Sequence, residues 1–511
     1  MIKQSLYETI ENSIDKDSGK LPRGFSIDDD SYAPNKIMFA AGAMDGAGFY
    51  QHYTVKELKK EAEKVVKRIK KHLQTSDKSC VDEIQTILAG ARTISIVDAI
   101  LQNIRKNHKE VDAQKLIEFA YNLAKTSDNT ELVKLGISLL GLFDLGKHEG
   151  FRGVAAVLSL YDEFTLFSVV AASNWTDGNE LIFWIAKRVD GWGKIHAVER
   201  LKPETDEIRD WILREGCSNY VMDAYLGLTC AAKGDLISVL RQDTIDDELF
   251  ESVAIIIDAL LDEGPGDGIN AYDYAEEAIS LFMGHAKTRA VNLKHLWQIL
   301  NVRSFTEDSG LSNKAEIVEQ CTAIASNPVW KEKIMATINQ CDEENFFYAC
   351  NTATRMELDI SDDLFAVVKK EPLKHCSYMP QLFKNSDMAT ELIELCETTL
   401  PLDEMAEGMG DYLFADKLGQ EHWCLDFVLP ELTAYPMRGI KLIQTGLNSP
   451  VIRGRHMACR ALSGWVRMRG KPLVEISPEL YSEIVRIYEI EVNDNIKETM
   501  KKLMDGEAGD E

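Results

Sequence analysis

The chain has 511 residues, of which 45% are hydrophobic, so it can bury a substantial core, which excludes a globally disordered chain. Its 57 Lys and Arg residues stand against 83 Asp and Glu residues, and the formal charge of −26 would repel nucleic-acid phosphates and anionic membrane surfaces. The same acidity favours solubility and would steer basic partners toward the protein.

The sequence carries no targeting or membrane signal. No apolar run is long enough for a transmembrane helix, and residues 1–8 lack the apolar segment of a secretory signal. We therefore expect a cytoplasmic protein with no membrane or nucleic-acid partner. None of the ten cysteines lies within three residues of another, so no zinc or dithiol motif exists, and we expect the cysteines to be packing residues in a reducing compartment. They are Cys80, Cys217, Cys230, Cys321, Cys341, Cys350, Cys376, Cys396, Cys424 and Cys459.

Residues 1–35 differ from the rest of the chain, and within them residues 28–34 (Asp-Asp-Asp-Ser-Tyr-Ala-Pro) are polar, acidic and closed by a proline. This composition predicts an extended N-terminal arm over residues 1–35. Helical periodicity begins at about residue 36, and apolar residues recur at three- and four-residue spacing through residues 81–104, 111–125 and 130–145. These segments have the length of helices rather than strands.

Short turn and capping signals separate the helical segments. Residues 127–130 (Ser-Asp-Asn-Thr) break one helix and cap the next. Residues 252–261 form a β-branched run that could be a strand locally, but the following Asp-Glu-Gly-Pro favours a buried helix ending at a Gly-Pro breaker. Because no strand pattern alternates with the helices, we predict an all-α fold.

Residues 449–466 resemble the second helix of a HEAT-type repeat, with a proline at the helix start and Val, Arg and Ala spaced along one face. Residues 477–480 (Ser-Pro-Glu-Leu) open another helix in the same way. We therefore predict a HEAT-like α-solenoid of stacked antiparallel helix pairs. The predicted regions are an N-terminal helical repeat region over 36–304, a C-terminal HEAT-like region over 305–505 and an acidic tail over 506–511.

No sequence motif identifies catalytic or cofactor-binding residues, which stay unknown, and no metal site is predicted. Residues 141–148 match a phosphate-binding loop except at His148, so we interpret them as a helix end closed by Gly146. Residues 264–268 and 408–411 lack the third glycine of a dinucleotide motif and are interpreted as loops. Residues 421–424 (Glu-His-Trp-Cys) gather ligand types, but adjacent helical residues point about 100° apart. A metal site assembled from distant segments stays open.

Two basic stretches and one aromatic group are candidate binding features. Residues 56–71 predict an amphipathic helix with intrahelical charge pairs, either solvated or partner-binding. Residues 453–471 carry a second basic cluster, either solvated or contacting an anion or acidic peptide; it comprises Arg453, Arg455, Arg460, Arg467, Arg469 and Lys471. Aromatic residues suit core packing or an apolar ligand pocket. These are Trp175, Phe183, Trp184, Trp192 and Trp211.

Several segments carry a family likeness: residues 21–27 (Leu-Pro-Arg-Gly-Phe-Ser-Ile), residues 39–50, and residues 191–201 continuing to 207–216. With them the chain resembles bacterial proteins named limonene hydroxylase. The resemblance implies a monooxygenase and oxidoreductase of monoterpene degradation. Such an enzyme hydroxylates limonene to carveol and perillyl alcohol, then dehydrogenates these alcohols with NAD(P). It assigns no catalytic residue to this chain.

Two hypotheses therefore remain open. The first is the enzyme that the resemblance implies, with limonene, a hydrophobic small molecule, as its substrate. The second is a non-enzymatic HEAT-like scaffold that binds a protein or peptide partner on its concave face.

Overall fold

The computed structural model describes residues 4–27, 39–50, 58–413, 415 and 418–508, and for residues 47–50 only the backbone. This part of the chain contains thirty α-helices, joined by loops and short 3₁₀ turns, and no β-strand. A single isolated bridge joins Tyr412 to Val451. The predicted all-α class is confirmed for the described residues. None of their helices is long and apolar enough to cross a bilayer.

The described helices form two compact units, one ending at Ser326 and one beginning at Asn327. The helices of unit 1 are α1 (Leu6–Ser13), α2 (Ala43–Tyr50), α3 (Lys59–Thr75), α4 (Ser79–Ala91), α5 (Thr93–Lys106), α6 (Ala113–Thr126), α7 (Thr130–Leu140), α8 (Glu149–Leu158), α9 (Asp162–Ala172), α10 (Gly178–Ala186), α11 (Gly191–Arg200), α12 (Asp206–Glu215), α13 (Gly227–Lys233), α14 (Leu236–Leu240), α15 (Asp247–Leu261), α16 (Ala275–Arg289), α17 (Leu293–Asp308) and α18 (Lys314–Ala325).

The helices of unit 2 are α19 (Val329–Gln340), α20 (Phe346–Arg355), α21 (Ser361–Lys370), α22 (Met379–Leu382), α23 (Ser386–Thr399), α24 (Leu402–Met405), α25 (Gln420–Val428), α26 (Ile440–Leu447), α27 (Ile452–Arg469), α28 (Leu473–Ile476), α29 (Pro478–Tyr488) and α30 (Asp494–Met504).

Polar side chains fix where several helices begin. Asn129 accepts a hydrogen bond from the Leu132 amide at the start of α7, so the capping signal read at residues 127–130 is confirmed. Asp246 caps α15 in the same way, through the Leu249 amide. Residues 252–261 lie within α15, which confirms the buried helix before the Gly-Pro breaker.

Within unit 1, helices pack mainly against helices one or two places along the chain. α3 contacts α4 and α5, α7 contacts α6 and α9, and α15 contacts α13 and α17. Apolar side chains spaced along one face of each helix fill the contacts, as with Ile84 and Leu88 on α4, both fully buried. Unit 2 shows similar neighbour contacts, including α19 with α20 and α21, and α27 with α26 and α30.

The structure differs from the sequence prediction at the N-terminal arm. Residues Leu6–Ser13 form helix α1, which Ser5 caps and which buries Leu6, Tyr7 and Ile10 against α6 and α8. The segment holds only two helical turns, so its apolar spacing is a weak signal until α6 and α8 provide a surface to bury it. Residues 1–3 and 28–35 of the predicted arm, and 509–511 of the predicted tail, lie outside the described residues.

The region boundary proposed from sequence lies inside unit 1. Residue 304 is within α17, which continues to Asp308, and residues 309–313 form the loop to α18. Polar loop residues there end one helix and begin the next, as they do between other neighbouring helices of this unit.

Candidate functional site

A cleft of about 980 Å³ opens between α15 and α17 in unit 1. Its walls come from the C-terminal halves of these two helices and from the loops that follow them. The lining residues are Asp258, Leu261, Asp262, Asn270, Asn301, Ser304, Phe305, Asp308, Ser309, Gly310 and Leu311. The volume lies at the upper end of the range of small-molecule pockets.

The cleft combines an apolar floor with an acidic rim. Leu261, Phe305 and Leu311 are half-buried and pack against the core of unit 1. Asp262 and Asp308 are exposed at the rim. No lysine or arginine is among the described residues that line the cleft. An apolar floor under carboxylates suits a ligand that has an aliphatic body and a cationic end.

Hydrogen bonds hold part of this rim in place. The Asn301 side-chain amide donates to the Asp258 carboxylate over 2.6 Å, which links α17 to α15. On the loop after α15, the backbone and side-chain amides of Asn270 both donate to the Glu263 carboxylate. The Asp258 carboxylate is thus positioned before any ligand arrives, which reduces the ordering cost of binding.

The backbone adds to the negative potential of the cleft. Helix α15 ends at Leu261 and helix α17 at Asp308, so both carbonyl ends lie at the cleft. Neither helix has a basic residue in its last turn. Because the C-terminal end of a helix carries partial negative charge, it attracts cations. The two helix ends and the aspartates therefore favour the same ligand charge.

The segments that carry the family resemblance meet at a second place in unit 1. A Cβ atom at Gly46 would lie 2.2 Å from the Trp192 ring, so α2 and α11 touch closely. The Phe25 ring packs edge-on against Tyr161 at 5.6 Å, and Arg23 lies over the Tyr220 ring. Residues far apart in sequence are thus brought together, which the sequence analysis did not predict.

A buried charge network lies beside these segments. The Lys134 ammonium on α7 contacts Asp45 at 2.7 Å, Glu131 at 3.2 Å and Glu163 at 2.5 Å. Its side chain is fully buried, and Arg92 adds a second cation 2.7 Å from Asp45. The network joins α2, α7 and α9 to the junction between α4 and α5, where Arg92 lies.

Burial and the neighbouring charges shift the pKa values of the residues in this network. Burial opposes the Lys134 ammonium, but the carboxylates of Glu163, Asp45 and Glu131 raise the pKa of Lys134. Burial likewise acts against the Glu163 carboxylate, but Lys134 lowers the pKa of Glu163 overall. For Asp45, burial prevails and raises its pKa. Most charges in the network are paired with an opposite charge inside it, so we interpret the network as a structural link between helices rather than a ligand site.

Next to the network, Asp162 on α9 caps the start of α11. The backbone amides of Trp192 and Gly193 donate to its carboxylate. Burial, together with the charges of Asp190 and Glu163, raises the pKa of Asp162 to about 7. On α11, burial lowers the pKa of His196 to about 3, so this imidazole is neutral at pH 7.

The first basic stretch forms the amphipathic helix α3, as predicted, for residues 59–71; residue 56 lies outside the described residues. Val65, Val66 and Ile69 are buried. The cations are paired mainly with other elements rather than within the helix. The pairs are Arg68 with Glu83, Lys70 with Glu110, Lys71 with Asp77 and, within α3, Lys64 with Glu61.

The second basic cluster does not form one surface. Arg455 is fully buried, and its guanidinium donates to both oxygens of the buried Glu491 carboxylate. Its remaining nitrogen donates to the carbonyls of Gly410 and Ser449. Both sequence interpretations of this residue, solvated and ligand-binding, are therefore wrong. Along α27, Arg455 faces the core, whereas Arg453 and Arg460 face solvent.

The aromatic group is largely core. Trp175, Phe183, Trp192 and Trp211 are buried, and Phe183 packs edge-on against Trp211 with ring centres 5.5 Å apart. Trp184 is half-buried and stacks under the Arg188 guanidinium. This packing favours the core interpretation over an apolar ligand pocket at these residues.

The near match to a phosphate-binding loop follows helix α7. This helix ends at Gly141 rather than at Gly146, which lies further along in the loop. A Cβ atom at residue 146 would lie 2.0 Å from the Thr176 carbonyl oxygen, so close packing accounts for this glycine. Asp144, in this loop, accepts hydrogen bonds from Thr176 in the loop between α9 and α10, and a carboxylate there is unsuited to a phosphate.

Nine of the ten cysteines are buried free thiols, as expected for packing residues, and Cys341 is half-buried. Within the described part of the chain, no group of three or more His, Cys, Asp or Glu side chains is placed to hold a metal ion. His422 and Cys424 are both buried on α25, with the exposed Trp423 between them.

The comparisons with known proteins do not assign this chain to a family. No protein-family model matches it, and no curated protein or solved structure matches it either. The chemistry of the cleft and of α27 therefore has to be interpreted from their own residues.

Proposed function

We propose that this protein is a helical scaffold that binds a basic peptide segment of a partner protein, and that the acidic cleft between α15 and α17 is the binding site. The observation that carries the proposal is the cleft itself: Asp258, Asp262 and Asp308 surround an apolar floor. A lysine or arginine side chain matches this arrangement, because its aliphatic stem packs on apolar surface while its charged end reaches the carboxylates.

The pattern of helix contacts supports a scaffold of the HEAT-like α-solenoid type within unit 1. Most helices there contact partners one or two places along the chain, as α7 does with α6 and α9. Solenoids built in this way present extended surfaces to protein and peptide partners. The net charge of −26 supports a basic partner, since it accelerates the encounter with a cationic chain.

A direct binding measurement tests this proposal. We expect a fluorescein-labelled Lys/Arg-rich peptide to bind the full chain, by fluorescence anisotropy, and to bind less tightly as salt rises. The triple variant Asp258→Asn, Asp262→Asn, Asp308→Asn is expected to weaken binding about tenfold or more, because loss of 1.4 kcal/mol corresponds to a factor of ten.

A matched variant separates the cleft from bulk charge. Asp98, Asp128 and Asp243 are exposed aspartates of unit 1 that do not line the cleft. Their replacement by asparagine removes the same charge and is expected to leave peptide binding nearly unchanged. Equal weakening by both triple variants, or no binding at low salt, would contradict the proposal.

A second candidate is the activity that the resemblance implies, hydroxylation of limonene and dehydrogenation of the resulting alcohols. The observation that favours it is the close contact of Gly46 with Trp192, which brings together two of the resembling segments, while Phe25 of a third packs on Tyr161. The glycine-rich loop at residues 264–268 does not fit the pyrophosphate of NAD(P), because Asp262, Glu263 and Asp267 surround it with negative charge.

Product analysis tests this second candidate. Under this hypothesis, purified full-length protein supplied with limonene, NADPH and oxygen should yield carveol or perillyl alcohol by gas chromatography with mass detection. Absence of both products, while the same preparation binds the basic peptide, would leave the scaffold as the function.

A further inference from the structure

We propose that the exposed face of α27 in unit 2 binds an acidic peptide segment of a partner protein through Arg453, His456 and Arg460, here called the basic ridge. This site is distinct from the acidic cleft and takes a ligand of opposite charge. It goes beyond the proposed function, because it gives the chain a second recognition surface.

The helix places these three side chains on one face. Residues 453, 456 and 460 are separated by three and four positions, so they lie above one another along α27. All three are exposed. The opposite face is fixed by packing, because Ala458, Leu462 and Trp465 are fully buried. The indole N–H of Trp465 donates to the Leu432 carbonyl over 2.7 Å, which sets the rotation of the helix.

The ridge is poorly compensated by negative charge. Arg460 forms no ion pair with any residue that the structure describes. Arg453 lies 3.8 Å from the Asp426 carboxylate, which is longer than a hydrogen bond. Asp426 is itself buried, and burial raises its pKa to about 6, so at pH 7 it is mostly ionised and compensates part of the charge of Arg453, whereas Arg460 has no such neighbour among the described residues.

The imidazole of His456 reports a positive local potential. Burial lowers the pKa of His456, and the charges of Arg460 and Arg453 lower it further. No carboxylate contributes to this shift. A locally positive surface in a chain of charge −26 is not predicted by composition.

The chemistry of the ridge selects carboxylates. Arginine guanidinium groups bind carboxylates through two parallel hydrogen bonds. The first turn of α27 contains no acidic residue, so the partial positive charge of the helix start adds to the attraction. On the neighbouring α25, the exposed Trp423 lies one turn before Asp426 and offers an amphipathic surface beside the ridge.

A short acidic segment is favoured over a nucleic acid. Screening limits charge interactions to roughly 8–10 Å at physiological salt, so a short peptide interacts mainly with the ridge. An extended phosphate backbone would also encounter the acidic surface of the rest of the chain.

Peptide binding to the full chain tests the proposal. We expect a fluorescein-labelled Glu/Asp-rich peptide to bind, and the variant Arg453→Gln, Arg460→Gln to bind it about tenfold more weakly. The control Arg105→Gln, Lys106→Gln removes the same charge from the exposed surface of α5 and is expected to bind as the unmodified chain does. In NMR titrations, bound peptide should raise the pKa of His456.

Further variants keep the test decisive. Arg453→Lys, Arg460→Lys retains the charge and is expected to bind with intermediate affinity, and it replaces the glutamine variant if that fails to fold by circular dichroism. The asparagine variant of the acidic cleft should leave acidic-peptide binding intact, so the proposals for the two sites can be rejected separately. Equal weakening by the α5 control, absence of binding at low salt, or a preference for an oligonucleotide over the peptide would overturn the proposal. The proposal would also be overturned if the peptide did not bind and sedimentation showed that the glutamine variant of the ridge abolishes self-association, because the ridge would then bind a second copy of the chain.

Discussion

At the scale of single residues, Lys134 is a fully buried cation among carboxylates. Its ammonium is completely removed from solvent and is surrounded by Asp45, Glu131 and Glu163. A buried ion pair adds little net stability relative to an apolar pair, but removal of one partner leaves the others buried without compensation. Removal of the Lys134 charge should therefore lower the free energy of unfolding by more than the ion pairs themselves contribute to it.

The variant Lys134→Met keeps the aliphatic stem and removes the charge. We expect it to lower the free energy of unfolding by about 3–5 kcal/mol, because three carboxylates then face one another with only the partly exposed Arg92 as a counter-ion. Urea unfolding followed by tryptophan fluorescence would measure this loss.

Two further variants show whether the cause is charge. Lys64→Met removes a cation from the exposed pair with Glu61, and little change is expected. Adding Asp45→Asn to Lys134→Met should recover part of the stability, because one of the repelling carboxylates is then neutral. If Lys134→Met were as stable as the unmodified chain, the network would not stabilise the fold. If the added Asp45→Asn recovered no stability, repulsion between the carboxylates would not be the cause of the loss.

At the scale of helices, α11 depends on a cap that comes from another element. Its own N-terminal residue Asp190 makes no side-chain capping bond, and Asp162 of α9 accepts from the α11 amides instead. Burial raises the pKa of Asp162 to about 7 from its ordinary value of 3.8. The folded protein therefore holds a proton that the unfolded chain releases between these values.

This difference predicts a pH effect of definite sign. Since the folded state binds more protons between pH 4 and pH 7, stability falls as pH rises through that window and is constant above it. The contribution is at most about 4 kcal/mol, at 1.36 kcal/mol for each unit of pKa.

The variant Asp162→Asn keeps an acceptor for the α11 amides but cannot ionise. We expect its stability relative to the unmodified chain to increase from pH 4 to pH 7, as measured by urea unfolding at each pH. Asp128→Asn, on an exposed loop of unit 1, serves as the control and should show no such trend. Parallel pH profiles for Asp162→Asn and the unmodified chain would contradict the assignment.

Helices differ in how far sequence alone predicts them. Helix α3 is predicted from an apolar periodicity that extends over several turns, and α15 from the Gly-Pro breaker that follows its β-branched run. Helix α1 was not predicted, because two turns are too short to be stable without the surfaces of α6 and α8. The C-terminal end of α7 was misplaced for a related reason: Gly141 and Gly146 are both suitable stops, and only packing against Thr176 explains the second.

At the scale of the whole molecule, charge is unevenly distributed. The chain carries a net charge of −26, yet α27 in unit 2 displays a positive exposed face, and the cleft of unit 1 concentrates carboxylates without nearby cations in its lining. Composition predicts the average charge but not these local extremes. A protein that carries both surfaces is suited to holding two partners of opposite charge, which the two peptide experiments examine separately.

The sequence by itself determined that the chain is helical, acidic and rich in buried thiols, because periodicity, charge and the spacing of cysteines are local properties. Only the tertiary structure decided which charges meet. Arg455 and Glu491 form a fully buried pair, and Lys134 gathers Asp45, Glu131 and Glu163 from distant positions. The lining of the cleft likewise depends on α15 and α17 ending side by side. Contacts of this kind depend on how helices pack, since a helical pattern fixes which face is buried but not what it is buried against.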